Sequence, residues 1–70
     1  MPMPYLAKIR DLGNLLGMTE AQLLLMAREI QGDACMLSLR HMTIATQAIL
    51  LRELQAVKEK RESRMLVAYA

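Results

Sequence analysis

Apolar residues recur at helical spacing in three separate stretches of this chain. In the first, "PYLAKIRDLGNLLG", Tyr5, Leu6, Ile9, Leu12, Gly13 and Leu16 share one face. Pro4 can open this helix, because the first helical N–H has no partner to lose. Gly13 costs roughly 1 kcal/mol against Ala in a helix interior. It marks either the close approach of another helix or a kink. Gly17 is a good stop, which places the helix at about residues 4–16.

The second stretch opens on "TEAQ", Thr19 to Gln22. This is a capping box: the Thr19 hydroxyl and the Gln22 side chain each accept from the other's backbone N–H. A helix over about 20–31 follows, with Leu23, Met26, Ala27 and Ile30 as its apolar stripe and Gly32 past its end. Leu24 and Leu25 lie off that stripe, on flanks otherwise held by Glu20, Gln22, Arg28 and Glu29. Either the helix is covered on more than one side, or another chain covers it.

"GDACMLSLRHM" is too apolar for a fully solvated loop. Ser38 can cap a single helical turn that tucks Leu37, Leu39 and Met42 under the helical hairpin. Thr43 then caps a third helix beginning at Ile44. Its stripe reads Ile44, Leu50, Leu51, Leu54 and Val57, and Arg61 extends it. Projected at about 100° per residue, Met65, Ala68 and Tyr69 continue the stripe. The helix therefore covers 44–64 or more, and a length of 25 residues spans roughly 38 Å, more than two shorter helices can shield. Ile49 sits on the opposite side, between Arg52 and Glu53. No alternating run of β-branched or aromatic residues appears, and there is no hairpin dipeptide. The expected fold is all-α, with three main helices and one short helical turn in a single domain over 1–70.

Composition sharpens this picture. Apolar residues make up 54% of the 70, with no Phe, no Trp and seven Met. Leu, Ile, Val, Ala and Met must build the core. A chain of this size buries only about 60% of its unfolded surface, so small cores are often supplemented by metals, disulfides or oligomerisation. One cysteine and one histidine supply neither a disulfide nor a metal set. Self-association or tight helix packing is left. A free Cys35 fits a reducing interior. No apolar run approaches the roughly 18 residues of a membrane span, and "MPMPYLAKI" lacks the apolar core of a secretion signal. The expectation is a cytoplasmic protein without a membrane partner.

The signatures of catalysis are missing. There is no Gly-rich phosphate loop, nucleophile elbow or zinc spacing. Acids sit beside Lys or Arg at helix spacing, as on a solvated face. Cys35 and His41 are the one candidate nucleophile and base, six residues apart in one linker, and they read better as a small buried thiol and a surface or helix-capping imidazole. The expectation is a non-enzyme with no cofactor, metal or small-molecule substrate. Net charge is +2. The densest charge, "KEKRESR", offers Lys58, Lys60, Arg61 and Arg64 as candidate nucleic-acid contacts. Glu59 and Glu62 dilute them, and no aromatic residue interleaves. Read as a helix-turn-helix, the second helix would face DNA with Arg28 as its single positive charge, a poor phosphate contact.

"LLGMTEAQLLLMAREIQGD…SLRHMTIATQAILLREL" resembles a small helical module of phage-derived bacterial proteins, in the style of the Mu-like GemA regulators and of C-terminal extensions on phage recombination proteins. Leu16-Gly17-Met18-Thr19-Glu20 matches its opening. Ser38, Leu39, Met42 and Thr43 match its middle, and Leu50, Leu51 and Leu54 its last helix. The chain departs in carrying Thr46 where an early acid is usual, and Ile44 where a polar residue is usual. The resemblance runs from about Leu12 to Lys58. It implies a neighbourhood of DNA metabolism and carries over no active site.

Two readings follow. One is a helical protein-interaction module that forms a homodimer or docks on a larger protein through Leu24, Leu25, Ile49, Met65 and Tyr69. The other is a small regulator that binds nucleic acid weakly through the basic residues of its last helix.

Overall fold

The computed structural model describes residues 3–68, with side chains for 3–63. Met65 and Tyr69 of the anticipated interface, and Arg64 of the basic run, have side chains outside the described residues. Three helices form: α1 (Leu6–Leu15), α2 (Glu20–Gln31) and α3 (Ile44–Ala68), with a 3₁₀ turn at Leu39–His41. The all-α expectation holds, down to the short turn and the long last helix.

Most helix ends are set locally. Thr19 N–H donates to Gln22 Oε1 at 2.8 Å, and Gln22 N–H returns to Thr19 Oγ1 at 3.2 Å. Gly32 closes α2 in the left-handed conformation, φ 70°, where an L side chain would be strained. Ser38 Oγ accepts from Arg40 N–H, and Thr43 Oγ1 accepts from Thr46 N–H. Replacing Thr19 by Ala is expected to cost about 1 kcal/mol of stability. Urea melting checks this, and a variant as stable as the parent would show the box to be redundant.

The start of α1 lies two residues later than expected. Pro4 and Tyr5 form a turn, in which Leu6 N–H donates to the Met3 carbonyl at 3.3 Å. No side chain local to α1 caps it. The Tyr5 N–H instead reaches Gln47 Oε1 on α3, at 3.3 Å.

One core collects Leu6, Ile9 and Leu16 from α1, Leu23 and Ala27 from α2, Met36, Leu39 and Met42 from the connection, and Leu50 and Leu54 from α3. Gly13 is buried, and a Cβ there would stand 2.9 Å from Leu23 Cδ1. The glycine therefore serves close approach of α1 and α2. The connection enters the core at every third residue, Met36, Leu39 and Met42, which suits a three-residue turn. Leu37 is one position out of that register and is 78% exposed, contrary to the expectation that it tucks under the hairpin. Arg28 holds this segment onto α2, its Nε donating to the Met36 carbonyl at 2.7 Å.

The inner stripe of α3 also differs. Its first inward positions belong to Thr46 and Gln47, both buried, and Ile44 is 52% exposed. Ile44 precedes Gln47 by three residues and lies on the flank of the line through Gln47, Leu50 and Leu54. After Leu54, no side chain up to Ser63 is buried.

Candidate interaction surface

Gln47 and Arg61 together fasten α1 to α3. Gln47 is fully buried; besides accepting from Tyr5, its Nε2 donates to the Met42 carbonyl at 3.4 Å and lies 3.4 Å from Met3 Sδ. Fourteen residues on, Arg61 NH1 donates to the Leu16 carbonyl at 3.0 Å, at the other end of α1. A cation suits that place, because the last carbonyls of a helix lack intrahelical donors and carry partial negative charge. The order of these contacts sets α1 and α3 running in the same direction. Gln31 braces the start of α3, with its Oε1 accepting from Thr43 N–H at 2.9 Å.

Beside this joint lies an open groove of about 320 Å³ between α1 and α3, lined by Lys8, Asp11, Leu12, Leu15, Leu51, Gln55 and Lys58. Leu12 and Leu51 are half-buried, and Leu15 is 66% exposed at the groove edge. Lys58 Nζ stands 3.8 Å from Glu62 Oε1, one turn further on.

The residues singled out in the sequence scatter over the surface. Leu24 is half-buried against the core, whereas Leu25 and Ile49 are 58% and 46% exposed. Leu25 lines a shallow depression with Arg28, Glu29, Gly32 and Ala34. Of the basic run, Arg61 is engaged with Leu16 and Lys58 with Glu62, while Lys60 points into solvent. The groove itself was missed. Leu12, Leu15 and Leu51 were each apolar on paper, but only the parallel setting of α1 and α3 puts them side by side.

Cys35 is exposed, not buried as expected. It sits in a turn where Asp33 Oδ1 accepts its N–H at 3.1 Å, and the next residue, Met36, takes the inward place. His41 is exposed as anticipated, and no hydrogen bond joins it to Cys35. Among the described residues, no group of three His, Cys, Asp or Glu side chains is placed to hold a metal ion. No helix of the described residues is long and apolar enough to cross a membrane. No family model, curated protein or solved structure matches this chain.

Proposed function

We propose that this chain is a non-enzymatic helical interaction module that self-associates through α3. The observation that carries the reading is the mismatch between α3 and its cover. At 25 residues α3 is about twice the length of α1 or α2, and α1 ends level with Arg61 through the Leu16 contact. Helix continues to Ala68, and its last four residues read "MLVA", all apolar. Among the described residues Leu15, Leu25, Ile44, Ile49 and Val57 are exposed; exposed apolar surface favours association, and a two-fold pairing of like surfaces is the commonest way to bury it. The resemblance to phage-derived modules fits an accessory protein of mobile elements and adds no chemistry of its own.

Deleting Met65 to Ala70 tests the reading. The full chain is expected to be a dimer by sedimentation at micromolar concentration, and the truncated chain a monomer of lower melting temperature. A full chain that stays monomeric at high micromolar concentration overturns it. Weak, salt-sensitive DNA binding lost on changing Lys58 and Lys60 to Gln would instead favour the nucleic-acid regulator. Arg61 is best left in place in that variant, because its guanidinium holds the end of α1.

A further inference from the structure

The two halves of α3 are held in different ways. Up to Leu54 each turn sends a buried side chain into the fold: Thr46, Gln47, Leu50 and Leu54. The start is braced further by the Gln47–Tyr5 and Gln31–Thr43 hydrogen bonds. Residues 55–63, "QAVKEKRES", bury no side chain; Val57 is exposed and Lys58 is half-buried at the groove. The Lys58–Glu62 pair lies within α3 and ties it to no other element. Among the described residues, one hydrogen bond joins this segment to the rest of the fold, from Arg61 NH1 to the Leu16 carbonyl. It lies two helical turns past Leu54, roughly 10 Å along the axis. The Leu16, Gly17 and Met18 N–H groups turn back to the carbonyls of Leu12, Asn14 and Gly13, which leaves the Leu16 carbonyl to the guanidinium.

We propose that Arg61 is a latch and residues 55–63 a strap, which unwinds from α1 as a unit while the core up to Leu54 stays closed. Segments with few buried contacts open at a lower free energy than the whole domain. Helices in proteins owe most of their stability to a packed apolar face, and the strap has little of one. The Arg61 contact works on both elements that it joins. It pins α3 beyond its last core residue, and it occupies the last carbonyl of α1, which lacks an intrahelical donor. The strap is also part of the α1/α3 groove. Gln55 and Lys58 form its α3 wall beside Leu12 and Leu15, and of that wall only Leu51 stays when the strap opens. The Leu15 end of the groove therefore exists only in the latched form. The latch decides whether that surface is a groove or a bare face of α1.

Hydrogen exchange tests this independently of self-association. Peptides are read by mass spectrometry at submicromolar concentration, so that pairing of copies does not protect the strap. In the parent, amides of residues 59–63 are expected to exchange faster than those of 50–54. Arg61→Gln is expected to speed exchange about fivefold at 59–63 and also at 16–18, and to leave 50–54 unchanged. A change of helix propensity would act on α3 alone, and Arg and Gln differ little in propensity. Lys60→Gln removes the same charge from a neighbouring side chain that points into solvent, and is expected to leave all three segments as they are. Equal protection of 59–63 and 50–54 in the parent overturns the strap. The latch is overturned by an Arg61→Gln variant that exchanges like the parent, that loosens α3 alone, or that loosens 50–54 as much as 59–63. It is equally overturned if Lys60→Gln reproduces the effect.

Discussion

Replacing Gln47 by alanine is expected to lower stability by about 3 kcal/mol. Two losses add. The Tyr5 N–H at the start of α1 loses its acceptor, and the Met42 carbonyl loses a donor. An orphaned buried polar group costs about 1–3 kcal/mol. The truncation also leaves a cavity where a fully buried side chain stood. Against a total of roughly 0.05–0.15 kcal/mol per residue for small domains, this is a large fraction. Gln47→Met keeps the volume and drops the hydrogen bonds, so its smaller loss isolates the polar part. Urea unfolding measures both. A Gln47→Ala loss under about 1 kcal/mol would mean that Gln47 does not hold the start of α1.

Valine at Gly13 is expected to cost a further class of energy, about 3 kcal/mol, by overpacking. The new Cβ would stand 2.9 Å from Leu23 Cδ1 and 3.4 Å from its Cγ. Leu23 is itself 3% exposed and has little room to swing away. Alanine at the same place gains roughly 1 kcal/mol in helix propensity but meets the same leucine, and is expected to end slightly below the parent. An alanine variant more stable than the parent would show that α1 and α2 separate freely at this crossing.

The sequence alone determined where the elements are. Thr19 and Gln22 bond across three residues, Gly32 relieves its own left-handed backbone, and Ser38 and Thr43 cap the turns that follow them. Such signals act within one helical turn, so they can be read without knowing what lies across the fold. The core stripes of α1 and α2 were legible for the same reason, since their spacing is a property of one helix.

What each face meets was decided by the tertiary structure. Gln47 drew no notice in the sequence and is the most buried polar side chain among the described residues, its Oε1 accepting from the N–H of Tyr5, 42 residues away. Ile44 looked like core and lies outside, because the buried line of α3 runs through Gln47, Leu50 and Leu54 and leaves Ile44 on its flank. Leu37 gave way to Met36, and Cys35 to the same neighbour, once Arg28 fixed the connection to α2. Arg61 read as one charge in a basic run and serves the carbonyl of Leu16. The α1/α3 groove, with Leu12, Leu15, Leu51 and Lys58 side by side, exists only when two helices far apart in sequence run parallel. Local hydrogen bonding chooses the elements, whereas burial is shared among distant residues and depends on how the elements are set against one another.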